Sequence, residues 1–362
     1  MAIYQTEIRD FLGLSGMHPI FDVRSPHEFE HAHIPGALSM PIFTDSERAI
    51  IGTAYKQEDR KIAIKHGMDA FGPKMRQLIE QVERVLNSKP YRNSNISAPV
   101  VLVHCWRGGM RSAAIAWLLD LYGFNVHLLI GGYKQYRKLV LEVLATPMHF
   151  TVIGGYTGSG KTEVLHQLKR AGHPVLDLEA LACHRGSAFG DLPGIPQPGQ
   201  EQFENHLAAQ LYDLCNSSRD CEIFVEDESQ RIGSLNLPGS LFEFLQEAPQ
   251  IFLDIPFESR LEHILKEYQH LPSASLINAI VRIKKRLGPL ETKTAINCLV
   301  EGDISGCFSI LLEYYDKQYR KAMKHRTLPA QILKCEQVNA ESNTQNLLSF
   351  LKDDHGRHRQ IS

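Results

Sequence analysis

Phe150-Thr-Val-Ile-Gly-Gly155-Tyr-Thr-Gly-Ser-Gly160-Lys161-Thr162-Glu-Val164-Leu165-His-Gln-Leu168 joins three kinds of local order in one run. It opens with a short apolar stretch, turns on glycines, and enters a segment whose Val164, Leu165 and Leu168 share a helical face before Gly172. That is the grammar of an α/β domain with a parallel sheet. The glycine turn matches G-x-x-x-x-G-K-[ST] and stands between a strand and a helix, as phosphate binding requires. Gly155, Gly158 and Gly160 let backbone N–H groups approach phosphate oxygens, Lys161 neutralises them, and Thr162 reaches a magnesium ion.

Downstream, a further strand is expected at 175–178. Two polar segments follow, 177–190 and 197–205, which read as loops near the phosphate site. Ile223-Phe-Val-Glu226-Asp227-Glu228-Ser229 is a strand ending in carboxylates, the position from which Glu226 or Asp227 would hold magnesium. Beyond about residue 258 the chain reads mainly as helices carrying Lys/Arg clusters, and the tail 353–362 is polar enough to fray. Upstream, strands are expected at 20–23, 100–103 and 126–130, a helix at 113–122 stopped by Gly123, and a helical, polar segment at 57–95. The boundary falls near Thr146 and Pro147, giving domains 1–146 and 147–362.

The first domain has its own chemical turn. In Val100-Val-Leu-Val-His104-Cys105-Trp-Arg107-Gly108-Gly109-Met-Arg111-Ser112 a cysteine ends a buried strand and a glycine-containing turn leads into a helix. Backbone N–H groups, the helix N-terminus, Arg107 and Arg111 would together stabilise a Cys105 thiolate. The spacing fits two chemistries, because cysteine-dependent phosphatases also place five residues between the cysteine and Arg-Ser. A cysteine phosphatase fused to a P-loop kinase is therefore the alternative reading.

Composition sets the limits. The chain has 362 residues, 43% of them hydrophobic, and 39 basic against 41 acidic groups for a net charge of -2. It is long enough for two cores, has no apolar run of membrane-spanning length, and begins without a signal-peptide pattern, so a cytoplasmic protein is expected. Near-zero charge argues against non-specific coating of nucleic acid. The seven cysteines form no C-x-x-C pair, which suggests neither a zinc site nor a disulfide framework.

Two further signatures favour the sulfur-transfer chemistry: Phe21-Asp22-Val-Arg24-Ser-Pro-His-Glu28-Phe29 and His33-Ile-Pro-Gly-Ala37 resemble those of the rhodanese superfamily, with Ala32 where many members have glycine. In that family the cysteine carries sulfur or selenium, and Asp22 and Arg24 are expected to fix the fold rather than touch substrate. With 52–56, 131–137, 158–162, 177–190, 197–205 and 226–232, the chain to about residue 290 resembles the tRNA 2-selenouridine synthase family, which fuses a rhodanese domain to a P-loop domain. Ala180 stands where glycine is expected.

The resemblance implies a fold and an activity. The fold is a rhodanese-like α/β domain followed by a P-loop α/β domain with a mainly helical C-terminal part. The activity is geranylation of 2-thiouridine at the tRNA wobble position by geranyl diphosphate, then exchange of the geranylated sulfur for selenium from selenophosphate. It implies no prosthetic group, with Mg2+ as an optional ion, tRNA as partner, a selenophosphate-producing enzyme upstream, and no membrane. The expected tRNA grips are Arg282, Lys284, Lys285 and Arg286, with Tyr315 and Tyr319 as stacking platforms; a solvated helix face is the plain alternative. Lys134, Arg137 and Lys138 are further basic candidates.

Overall fold

The computed structural model describes residues 3–91, 99–184, 196–217, 222–268, 270–324 and 326–358. They divide into two units, Met1–Val143 with Gly199–Ala209, and Leu144–Pro198 with Gln210–Ser362. Each unit is built on one five-stranded sheet.

In the first unit the strands are β1 (Ile3–Thr6), β2 (Ile20–Asp22), β3 (Leu38–Ser39), β4 (Val100–His104) and β5 (Asn125–Leu129). Their order is β1-β5-β4-β2-β3 and every pairing is parallel. A parallel sheet covered on both faces demands near-continuous apolar strands, which is why Val101, Leu102 and Val103 are all fully buried. Helix Met110–Tyr122 packs Ile115, Ala116 and Leu119 into this core and ends at Gly123, whose φ of 111° is left-handed. The polar stretch after residue 45 forms helices Asp45–Gln57, Arg60–Phe71 and Met75–Leu86, and the last two lend Phe71, Leu78 and Val82 to the core. The edge strand β1 carries too little apolar signal to be read from sequence. Three of its four residues are exposed.

The second unit contains β6 (Phe150–Gly155), β7 (Val175–Leu176), β8 (Ile223–Glu226), the small antiparallel pair β9 (Arg231–Ile232) and β10 (Leu235–Asn236), then β11 (Gln250–Asp254) and β12 (Gln331–Lys334). Its sheet order is β12-β11-β6-β8-β7, all parallel. Strand β7 is shorter than expected because Asp177 accepts a hydrogen bond from Ala180 N–H and starts a helix at Leu178.

Beyond 258 the chain is mainly helical, as expected, with one strand among the helices. Helices Phe257–Tyr268, Ser273–Leu287, Pro289–Val300 and Ile304–Met323 form a subcore around Ile264, Ile280, Phe308 and Leu311. The chain then returns to the sheet as β12 and covers it with helix Ala340–His358 through Leu347. Only Leu333 of β12 is buried, so its sequence lacks strand periodicity.

Candidate active site

Each sheet carries one chemical turn at the carboxyl end of a central strand. In the first unit, Cys105 follows β4 and is only 3% exposed. Its Sγ lies 3.2 Å from Ser112 Oγ. Burial pushes the thiol up, but the Ser112 hydroxyl, the N–H groups of Ser112 and Arg107, and the Arg111 charge together hold it below its ordinary value. Gly108 and Gly109 form the turn; Gly108 has φ 66° and a Cβ there would meet the Leu129 carbonyl oxygen at 2.9 Å. Arg107 is exposed, whereas Arg111 points sideways and donates to Glu28 Oε2 at 2.6 Å. Glu28 is therefore part of the site, and sequence alone did not single it out. Its carboxyl is pushed up by burial but held below the usual range by Arg111, the Ser25 N–H and Arg48.

Asp22 and Arg24 form a buried forked pair, with Arg24 Nη2 reaching Asp22 Oδ2 at 2.6 Å and the Ala32 carbonyl oxygen at 2.7 Å. They fix the fold, as expected. His104 is fully buried, and that burial lowers its pKa against the opposing pull of Asp22.

In the second unit, Gly160 caps helix Lys161–Arg170 at φ 72°, and Lys161 Nζ donates to the Gly155 carbonyl oxygen at 2.9 Å. Gly158, with φ 79°, packs so closely that a Cβ would lie 2.7 Å from Ile264. Thr162 Oγ1 reaches Glu179 at 3.2 Å and Glu226 at 3.3 Å. The carboxylates of Glu179, Glu226 and Glu228 converge within 4.8 Å of one another. Burial first, then Glu179 and Glu228, raise Glu226 well above its ordinary pKa. Burial and Glu179 push Glu228 up to about 7 despite the opposing Lys161 charge. Carboxylates so poorly compensated, beside a hydroxyl, are the donor set a hard divalent cation takes.

Asp227 does not belong to this set. Successive side chains at a strand end point to opposite faces, so Glu226 and Glu228 share one side and Asp227 turns to the other. There it accepts from Gln250 Nε2 at 2.7 Å, Arg326 Nη1 at 3.0 Å and the Tyr319 hydroxyl. Of the two candidates, Glu226 is the one whose carboxylate meets those of Glu179 and Glu228.

Tyr319 is likewise not an outward stacking platform: its hydroxyl also accepts from Gly155 N–H at 3.3 Å, and its ring lies 5.8 Å from that of Tyr156. Tyr315 packs in the helical subcore, edge-on to Tyr314 at 5.2 Å. Arg282, Lys284, Lys285 and Arg286 remain exposed. Lys284 and Lys285 line a cleft of about 480 Å³ with Lys293, Thr292, Asn297, Pro289 and Ile296. Sequence reasoning also missed Arg260, which is buried, pairs with Asp316 at 2.9 and 2.7 Å, and donates to the Thr157 carbonyl oxygen of the phosphate turn at 3.1 Å. An arginine on an amphipathic helix offers no signal of such a role.

Of the polar segments, 185–190 lies outside the described residues, as does 92–95 at the end of the helical segment expected at 57–95. The second segment, expected as a loop, is helix from Gln200, and residues 199–209 belong to the first unit.

Known families match both turns. The profile described as "Rhodanese-like domain" covers residues 5–139, and "tRNA 2-selenouridine synthase AAA domain" covers residues 148–352. The chain belongs to the tRNA 2-selenouridine synthase family. Proteins with that name from Nitrosomonas europaea (38% identity; 76% of this chain and 69% of the relative), Aeromonas salmonicida (32%; 94% and 95%) and Pseudomonas putida (37%; 83% and 86%) align with it. For a synthase of this family, the loop from His104 to Ser112 is a rhodanese loop, and the phosphatase reading of the same spacing falls away. Among the described residues no helix is long and apolar enough to cross a membrane.

Proposed function

We propose that this chain converts 2-thiouridine at the wobble position of tRNA to 2-selenouridine through a geranylated intermediate. The observation that carries the reading is the presence, in one member of this family, of a buried cysteine with a lowered pKa and a separate phosphate turn backed by carboxylates. In the first step the sulfur attacks the geranyl carbon, a C–S bond forms, the C–O bond to diphosphate breaks, and the base gives up its N3 proton. Lys161 and the backbone N–H groups of the turn would stabilise the departing diphosphate. Glu179, Glu226, Glu228 and Thr162 fit a Mg2+ ion, which when bound supplies charge neutralisation for phosphate oxygens.

In the second step the selenium of selenophosphate attacks C2 of the base, a C–Se bond forms, the C–S bond breaks to release geranylthiol, and water cleaves the Se–P bond to release phosphate. Alkylation is what makes that sulfur a leaving group. Cys105 would hold the selenophosphate, its N–H cradle stabilising the anion. The tRNA backbone would lie on Arg282, Lys284, Lys285 and Arg286, and the selenophosphate would come from a separate enzyme, in the cytoplasm.

Mass spectrometry of tRNA nucleosides after single turnovers tests the scheme. Cys105→Ala is expected to stop at geranylated 2-thiouridine. Selenouridine formed at the normal rate by that variant would remove Cys105 from the chemistry.

A further inference from the structure

The segment 199–205 has no part in the scheme above, yet it is among the most heavily bonded in the first unit. Asn205 is fully buried and every bonding group of its side chain is used. Its Nδ2 donates to the Tyr133 hydroxyl at 2.8 Å and to the His33 carbonyl oxygen at 2.9 Å, and its Oδ1 accepts from Arg137 Nη1 at 2.6 Å. Glu201 accepts from the Tyr133 hydroxyl at 2.8 Å, Glu204 from Arg137 at 2.6 Å, and Gln202 from the His33 N–H at 2.7 Å. The acceptor and the donor of the Tyr133 hydroxyl are therefore both taken, by two residues of this one segment. Arg137, a basic candidate for tRNA, is consumed here.

Tyr133 opens the helix Gly132–Leu144 against the cysteine turn. Its N–H donates to the Cys105 carbonyl oxygen at 2.8 Å, and the next N–H, of Lys134, donates to the Trp106 carbonyl oxygen at 3.0 Å. A trans peptide is planar, with its C=O and N–H pointing opposite ways. Holding the Trp106 carbonyl toward Lys134 therefore turns the N–H of the same peptide, that of Arg107, the other way, and it is one of the groups that stabilise the Cys105 thiolate. The approach is so close that a Cβ on Gly132 would stand 2.3 Å from the Cys105 carbonyl oxygen. Arg24 also lies over the Tyr133 ring, its guanidinium carbon 3.9 Å from the ring centre.

We propose that residues 199–205 are a strap belonging to the cysteine site, in which Glu201 and Asn205 are positioning residues that hold Tyr133 and, through its helix, the peptide that presents Arg107 N–H to the Cys105 sulfur. The consequence for selenium transfer rests on the reading of Cys105 as the selenium-handling residue. The strap itself does not, because the reactivity of the thiol reports it directly.

The test uses the full chain with Tyr133→Phe and Asn205→Ala, singly and together. Tyr133→Phe keeps the ring against Arg24 and removes only the hydroxyl, so it serves even where Asn205→Ala fails to fold. The pH dependence of iodoacetamide alkylation is followed at the Cys105 peptide by mass spectrometry, and selenation is measured on pre-geranylated tRNA. The alkylation midpoint is expected to rise, and kcat for selenation to fall about fivefold to tenfold, the scale of one or two hydrogen bonds. KM for tRNA should stay constant, and the double variant should be little worse than either single one. An unchanged alkylation profile in Tyr133→Phe overturns the strap. A shifted profile with normal selenation supports the strap and overturns the role proposed for Cys105.

Discussion

Ser112→Ala is a direct probe of how the cysteine cradle sets the thiol's acidity. Ser112 Oγ lies 3.2 Å from Cys105 Sγ and 3.1 Å from the Gly109 carbonyl oxygen, and a hydroxyl has one proton to give. With the sulfur neutral the proton serves the carbonyl; when the thiolate forms it turns to the sulfur. A hydrogen bond to a charged group contributes about 1.5–3 kcal/mol and the neutral bond given up about 0.5–1.5 kcal/mol, leaving a net ~1–1.5 kcal/mol for the thiolate. That corresponds to about one pKa unit. Because Cys105 is only 3% exposed, water has little room to replace the lost donor.

Alkylation of Cys105 across a pH series should therefore show a midpoint about one unit higher in the variant, and a rate about tenfold lower at pH values below the midpoint. The N–H groups of Ser112 and Arg107 and the Arg111 charge remain and continue to oppose the burial penalty. Linkage gives a second reading with a defined sign. A thiol whose folded pKa is depressed adds stability that is present above the unfolded thiol pKa and lost as pH falls through the folded value. Ser112→Ala should shrink that alkaline increment, beside a pH-independent loss of about 0.5–1.5 kcal/mol for the bond to the Gly109 carbonyl. A midpoint that stays put or moves down would refute the assignment of Ser112 as a thiolate donor.

Three other outcomes test the rest. Lys161→Ala should slow geranyl transfer by about 10²–10³, the cost of one lost oxyanion donor, while pre-geranylated tRNA is still selenated; equal loss in both steps would break the proposed division of labour. Removing the charges of Arg282, Lys284, Lys285 and Arg286 should weaken tRNA binding and flatten the log–log salt slope by about three to four, at 0.7–0.9 per phosphate contact; an unchanged slope would put the RNA elsewhere. Arg260→Ala leaves Asp316 buried without its partner and should destabilise the second unit by about 3–5 kcal/mol in urea unfolding, and an effect under ~1 kcal/mol would show the pair to be dispensable.

Local order carries its own signature, and both chemical turns were legible for that reason. Gly155 to Thr162 and Cys105 to Ser112 each need a buried strand, glycines that bend the backbone, and a helix start, all within one contiguous run. The central strands were readable too, because burial on both faces leaves Val101, Leu102 and Val103 uniformly apolar. Edge strands β1 and β12, largely exposed, lacked that pattern.

What tertiary structure alone decided are the partners brought together from far along the chain. Nothing near Glu28 announces Arg111, nothing near Arg260 announces Asp316, and the choice between Glu226 and Asp227 turns on which face each takes, against Thr162 and Glu179 or against Gln250, Tyr319 and Arg326. Tyr319 shows the limit most plainly. On a helix rich in Lys and Arg it reads as an exposed ring, yet its hydroxyl bridges Gly155 N–H and Asp227. Asn205, read as part of a polar loop, lies fully buried against Tyr133. A polar side chain reads the same whether water or a distant residue satisfies it, and only the folded chain determines which does.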